Sequence, residues 1–393
     1  MTKNAAVVGG GIAGTATAIA LQRVGWSPVI YEAQDRGADE RGVFVTLAVN
    51  GINALRALGL DPAVVLARGF ATPVLALHGA TGRLLADLPL GGPLPDGTVT
   101  TTIKRADLYA ALRAQAQGKG IEIRYGHRLT AATTTPEGVV AEFGAAATVA
   151  AELLVGADGL HSRTRKVLDP QAPAPHHLGL LNAGGFTDGP VDRRLAPPPG
   201  VMRMSFGRRA FFGWAAAPDG SVWWFANPPR KRPVEPGEFT PETWRAYLLG
   251  LFEGEQAAEL IRATVEILGP WNTRDLRRVP IWHGDRIVLA GDAAHAVSPS
   301  SGQGASMALE DAVVLGHSLR ESTEVPEALA AYTAIRRPRV EKVVAYGRRS
   351  SSGKVAGPAG ARIRDALMPS VMRMLHRKGD PQAWIFDHRL PVG

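Results

Sequence analysis

An apolar strand, a glycine-rich turn and an apolar helix follow one another between residues 4 and 24, and a second strand at 28–32 ends on Glu32. Within the turn, Gly9, Gly11 and Gly14 fit the spacing G-x-G-x-x-G. Gly9 permits the tight turn, Gly11 lets the backbone approach a pyrophosphate, and Gly14 lets the helix pack close to the strand. The N–H groups of Ile12 and Ala13, at the start of the helix, then face an anion in line with the helix dipole. Glu32 lies 18 residues beyond Gly14, placed to accept hydrogen bonds from a ribose diol. An acid there, rather than a small residue with an arginine, favours an unphosphorylated ribose and therefore FAD or NAD over NADP.

Two further segments lengthen the implied ligand. In "LLVGADGLHSRTR" (153–165) a buried strand ends at Gly156 and Asp158-Gly159 turns the chain. Alone, it reads most simply as a strand–turn–helix with an Asx-type turn. In "DRIVLAGDAAHAVSPSSGQGASMALEDAVVLGHSL" (285–319) a strand delivers Gly291-Asp292, where an acid can meet a second polyol. Beyond Pro299, Gly302-Gln303-Gly304 opens a long helix, clearing side chains where a flat ring would lie against the backbone. The helix start offers partial positive charge to an anion formed on that ring. A ligand that needs two helix N-termini is longer than a mononucleotide.

The βα character of both ends of the chain predicts an α/β fold: a discontinuous Rossmann-like domain (1–72, 100–168 and 275–345) with an inserted antiparallel substrate domain (73–99 and 169–274) and a C-terminal helical segment (346–393). Residues 201–227 are rich in β-formers, and Asp219-Gly220 is a hairpin signal, so three antiparallel strands are expected there. A helix is expected over 241–263. The terminal segment has helical spacing of Ile363, Leu367, Val371 and Leu375.

The chain of 393 residues holds no cysteine, which excludes disulfides, iron–sulfur clusters, zinc–cysteine sites and thiol nucleophiles. Its net charge of +8 comes mostly from arginine, in short clusters at 208–209, 230–232, 336–339 and 348–349. None has the length or aromatic interleaving of a nucleic-acid tract, so no nucleic-acid partner is expected. No apolar run approaches the ~18 residues of a membrane span. An N-terminus that enters a strand directly, with no basic n-region or cleavage site, predicts a cytoplasmic protein. His176-His177 lacks carboxylate neighbours in sequence, and no metal site is expected.

The glycine turn with Glu32, the G-A-D-G of 156–159, and G-D-A-A-H…P…G-Q-G…E-D across 291–311 resemble the single-component (group A) FAD-dependent aromatic hydroxylases, such as p-hydroxybenzoate and salicylate hydroxylases. The resemblance spans about residues 1–345. It implies that Gly9, Gly11, Gly14 and Glu32 hold the ADP half of FAD and that Arg105 contacts the cofactor. Asp158 would belong to a motif tied to both FAD and NAD(P)H, and Asp292 would meet the ribityl or pyrophosphate region. Pro299 and Gly302 to Ala305, Gly304 included, would border the isoalloxazine.

Arg41 either reaches the cofactor or stays solvated. Relatives often read G-A-G-I-x-L-x-P-N where this chain has "GVFVTLAVN" (42–50), so Phe44 and Val49 replace a glycine and a proline beside the flavin. His295 is expected to be structural. Met204, Phe211, Trp214, Trp223 and Phe225 either line an apolar substrate pocket or, for about half of them, belong to the core.

The activity implied is an NADH- or NADPH-dependent monooxygenase that inserts one atom of O2 into an aromatic or polyketide-like small molecule through a flavin C4a-hydroperoxide. The alternative is an FAD-dependent oxidase or reductase without oxygen insertion. A monomer or homodimer is expected. No second G-x-G-x-x-G follows, so the nicotinamide would bind transiently. "FGWAAAP" (212–218) only faintly echoes the halogenase W-x-W-x-I-P, which disfavours a halogenase.

Overall fold

The computed structural model describes residues 3–35, 42–355, 358–376 and 380–390. Five short strands form one parallel sheet in the order Ile287–Leu289, Leu153–Gly156, Lys3–Val8, Trp26–Tyr31, Glu122–Arg124. Its three central strands read as near-continuous apolar runs because both faces are covered. One face packs on the helices Ile12–Arg23 and Gly304–Glu321, in a cluster that includes Val7, Ile19, Ile30, Val155, Leu309 and Val314. The other is closed by an antiparallel three-stranded sheet (Ala131–Thr134, Val139–Glu142, Thr148–Ala151), whose following loop residue Phe143 stacks on Tyr31 at 4.3 Å.

A seven-stranded sheet takes strands from two separated parts of the chain. Its order is Ile267–Asp275, His176–Phe186, Val222–Asn227, Phe211–Ala216, Val201–Phe206, Val74–His78, Leu84–Pro89. All neighbours are antiparallel except Val201–Phe206 with Val74–His78, which run parallel. The helix expected over 241–263 is two helices, Pro241–Leu251 and Gln256–Arg262, and both pack on one face of this sheet. Thr240 caps the first through a capping box, and Pro241 occupies the first turn, where its missing N–H costs nothing.

A helix of 28 residues, Val325–Ser352, runs unbroken through residue 346, where the sequence reading began the terminal segment. The last long helix, Pro358–His376, lies on the hairpin Val74–Pro89 through Met368 and Met372 against Leu77, Leu85 and Leu88. Its other face leaves Ile363, Leu367 and Val371 exposed, so their helical spacing does not mark a core face.

Candidate flavin and substrate site

Three turns meet at the ends of the parallel strands. Gly9 has φ +104, and a Cβ there would stand 2.4 Å from the carbonyl oxygen of Ala157, so the first turn and the G-A-D-G turn touch backbone to backbone. A Cβ on Gly14 would lie 1.8 Å from the Gly9 oxygen, which is the close strand–helix approach expected of the third glycine. Gly291, at φ +60, completes the group: a Cβ there would stand 2.6 Å from that of Ala13. Contact requires glycine at all three points, and a positive φ favours it at Gly9 and Gly291 as well.

Two helix starts are open at this meeting point. Among the described residues no side chain caps the helix Ile12–Arg23 at Gly11 or the helix Gly304–Glu321 at Gln303, and neither has an acid in its first turn. A Cβ at Gly11 or Gly302 would meet no described atom within 4 Å. Uncapped N–H groups facing open space are what a pyrophosphate and a second anionic or carbonyl group require, so these residues fit an FAD. Glu32 Oε2 accepts from the Gly10 N–H at 2.6 Å and its Oε1 from Gln34 N–H at 2.8 Å, which holds the carboxylate against the first turn. Arg113, not noted from the sequence, donates to the Gly10 carbonyl at 3.0 Å. Asp292 is exposed and its charge acts on Arg105, whose guanidinium is held on Tyr109 Oη at 2.8 and 2.6 Å. The Asp158 carboxylate accepts from Ser162 Oγ, Arg163 N–H, Thr164 N–H and Thr164 Oγ1, four to six residues on rather than the two of an Asx-type turn, and so pins the start of the helix Arg163–Leu168. Arg41 lies outside the described residues.

A buried charge network stands behind the second helix start. Asp311 accepts the Gly291 N–H at 2.8 Å, pairs with His295 Nε2 at 2.5 Å and accepts from Arg336 Nε at 2.8 Å. Glu310 pairs with Arg336 at 2.6 Å and with Arg339 through two bonds at 2.8 Å. Asn50 donates to Glu310 at 2.8 Å and to Gln303 Oε1 at 2.9 Å, which fixes the residue that opens the helix. Burial alone would push the Asp311 carboxyl up; His295, Arg336 and the Gly291 N–H outweigh it and bring it down to about 2. His295 thus has the structural place expected of it. The sequence marked Arg336 and Arg339 only as part of a charge cluster; Arg336 is fully buried. The paired acids at 310–311 were the available signal, since a buried cation needs nearby carboxylates.

The seven-stranded sheet presents two apolar faces. Register pairs Met204 with Gly213, Gly213 with Phe225, and Ala215 with Trp223, so Met204, Phe211, Trp223 and Phe225 share one face. Trp214 is on the other. It is 3% exposed, packs with Phe212, Trp224 and Phe252 beneath the two helices, and donates from Nε1 to the Leu195 carbonyl at 2.8 Å. Its expected place in a substrate pocket is therefore corrected: it is core. Met204 lies toward the hairpin, among Leu77, Leu88 and Met368.

The segment 42–50 joins the shared face to the cofactor turns. Phe44 stands 6.1 Å from Trp223 and 5.9 Å from Phe225, and Phe70 makes an edge contact with Trp223 at 4.9 Å. Lys104 lies over Phe186 and Trp223 at 4.6 and 5.3 Å. Of the two departures expected beside the flavin, Phe44 joins this aromatic face. Val49 does not: it is fully buried with Ile385 and Phe386, at the first position of the helix Val49–Ala57, where a proline would also be tolerated. His176 and His177 spend their Nε2 atoms on Arg277 (3.1 Å) and on the Arg230 carbonyl (2.8 Å). A cavity of about 630 Å³ between Pro241–Leu249 and Val265–Gly269 shares no lining residue with the glycine turns or the aromatic face.

Comparison with known proteins agrees with this geometry. Residues 2–346 match the FAD binding domain family. The chain is 32% identical to the 3-amino-4-hydroxybenzoate 2-monooxygenase PtmB3 of Streptomyces platensis, covering 99% of this chain and 97% of that protein. It is 28% identical to an FAD-dependent urate hydroxylase of Mycolicibacterium vanbaalenii over 87% of this chain and 86% of that one. HpxO of Klebsiella pneumoniae, solved with FAD and uric acid, superposes with a TM-score of 0.85 at 24% identity, covering 100% of this chain and 98% of that chain. A salicylate hydroxylase substrate complex gives 0.80 at 23% identity, covering 99% and 96%. The chain belongs to the FAD-dependent aromatic hydroxylases, flavoprotein monooxygenases of the single-component kind.

Proposed function

We propose that this monooxygenase binds a small aromatic molecule against the face formed by Phe44, Phe70, Phe211, Trp223 and Phe225, and inserts one atom of O2 into it with electrons from NADH or NADPH. The observation that carries this reading is the aromatic face itself, joined through residues 44–50 to the uncapped helix start at Gly304. When bound, FAD supplies the electron and oxygen chemistry. The protein's residues do the rest. Gly9, Gly11, Ile12 and Ala13 present N–H groups to the pyrophosphate, Gly14 keeps the helix close, and Glu32 takes the ribose. Asp292 and Arg105 flank the middle of the ligand. Gly302, Gly304 and Ala305, fixed by Gln303 and Asn50, would border the flavin ring and offer it the dipole of the helix start.

The aromatic side chains orient a flat substrate and exclude water, which would otherwise divert reducing equivalents to peroxide. An aromatic substrate class is supported by relatives named for hydroxybenzoate, urate and hydroxynicotinate oxygenation. With a single G-x-G-x-x-G in the sequence, the nicotinamide is a transient visitor rather than a second resident. The test is NADH and NADPH oxidation by purified holoenzyme against a panel of hydroxylated benzoates, pyridines and purines. A compound that accelerates oxidation in the protein, and does so with a weaker KM in Phe225→Ala, supports the reading. Stimulation that ignores that substitution contradicts it.

A further inference from the structure

The helix Pro358–His376 has more apolar surface than its packing covers. The turn Gly353–Val355 that leads into it is pinned to the seven-stranded sheet, where Lys354 Nζ donates to Asn227 Oδ1 at 2.7 Å and lies 4.1 Å from the ring centre of Phe211. Along the helix, Met368 and Met372 pack on Leu77, Leu85 and Leu88 of the hairpin Val74–Pro89. Arg364 lies 4.1 Å over Phe206 and pairs with Asp365 at 2.8 Å, and Asp365 also accepts the Ala80 N–H at 3.3 Å. These contacts fix which side of the helix faces the protein.

The side turned away carries Ile363, Leu367, Val371 and Met374, each between 44% and 60% exposed. Steps of four, four and three residues keep them within about 80° of one another around the helix, along about 16 Å of its length. Four large apolar side chains in one row are more than the scattered single hydrophobics of an ordinary surface. The charge around the row is of one sign. The helix holds Arg362, Arg364 and Arg373, Arg377 and Lys378 follow it directly, and Asp365 is its one acid. Asp365 is spent on Arg364 and the hairpin, whereas Arg362, beside Ile363, is exposed and meets no carboxylate among the described residues.

We propose that this row is a docking surface for an anionic lipid bilayer, on which the helix lies flat with its apolar side chains among the acyl chains and its basic residues at the phosphates. Charge complementarity selects that occupant. A second copy of the chain would bring the same basic residues against one another, whereas lipid phosphates neutralise them. The contact is peripheral, since no helix of the described residues is long and apolar enough to cross a membrane. Docking also sets the edge of the aromatic face beside the bilayer, because Phe206, beneath Arg364, meets Phe211 edge-on at 5.1 Å. The proposal does not depend on the monooxygenase reading.

The test is flotation of the FAD-loaded protein with vesicles of phosphatidylcholine alone and of phosphatidylcholine containing one third phosphatidylglycerol. The wild type is expected to partition about tenfold more strongly onto the anionic vesicles, and to bind them less as salt rises. Leu367→Gln combined with Val371→Gln, both at exposed positions, should keep the FAD and the Tm of the wild type and lose about tenfold of that binding. Arg362→Gln, which leaves the apolar row intact, should lose about fivefold on the anionic vesicles alone. A wild type with no preference for the anionic vesicles would overturn the proposal, as would a double variant or an Arg362→Gln variant that floats like the wild type. So would a wild-type dimer in sedimentation that the double substitution dissociates, which would assign the row to a second copy of the chain.

Discussion

Replacing Arg336 by methionine removes a cation on which both the second cofactor turn and the start of the long helix depend. Arg336 is fully buried; its guanidinium bonds Asp311 at 2.8 Å, Glu310 at 2.6 Å and the Met307 carbonyl at 3.2 Å. Methionine fills much of the space but leaves two buried carboxylates to the remaining partners: Arg339 and Asn50 for Glu310, and His295 and the Gly291 N–H for Asp311. Breaking a buried pair from one side costs about 3–5 kcal/mol, because the other charge stays desolvated. At about 2 cal/mol/K of unfolding entropy per residue over 393 residues, that is a fall in Tm of about 4–6 °C.

The pH dependence gives a second reading of the same change. The Asp311 carboxyl, held down at about 2, contributes stability that is complete above the ordinary carboxylate range and is lost as pH falls through about 2. The variant lacks one group that holds it down, so the gap between variant and wild type should be widest near neutrality and narrow on acidification. Thermal unfolding followed by circular dichroism and flavin fluorescence across that pH range measures both. A fall in Tm under about 1 °C, or a gap that does not close in acid, would refute the reasoning.

Gly14→Ala places a Cβ 1.8 Å from the Gly9 oxygen, so the first turn must open; flavin absorbance per protein should drop close to zero, and full occupancy would contradict the role given to that turn. Asp292→Ala should purify folded with reduced FAD retention, read as flavin released on dilution and gel filtration. Trp214→Phe loses the bond to Leu195 within the helix-covered core and should cost about 1–2 kcal/mol in urea unfolding with KM unchanged. Phe225→Ala, on the opposite face, should raise the KM for an aromatic substrate by about tenfold, corresponding to about 1.4 kcal/mol of lost contact.

The cofactor turns were legible because their requirements are local. A glycine that must avoid a neighbouring carbonyl, as Gly9 and Gly14 must, shows in the sequence at fixed spacing, and the strand before it is apolar on both faces. The seven-stranded sheet was less legible. Alternation within 201–227 separates Trp223 and Phe225 from Trp224, but both faces are apolar, and only register across the strands shows that Trp214 joins Trp224 under helices that come later in the chain. The burial of Val49 and Arg336 was hidden for a related reason. A valine in place of a proline beside a cofactor motif gives no sign that it packs on Phe386, and charge counting cannot tell a solvated arginine from one enclosed by two acids. Lys354 escaped notice altogether, since it is brought to Asn227 by a fold contact spanning 127 residues.

The measurement that tests the central claim most directly is turnover of the stimulating aromatic compound under ¹⁸O2, with the product analysed by mass spectrometry. One ¹⁸O atom per product molecule, with one NADH or NADPH consumed for each, is the predicted result. Product without label, or nicotinamide oxidation that yields only hydrogen peroxide with every stimulating compound, would contradict it and leave an FAD-dependent oxidase or reductase on the same fold.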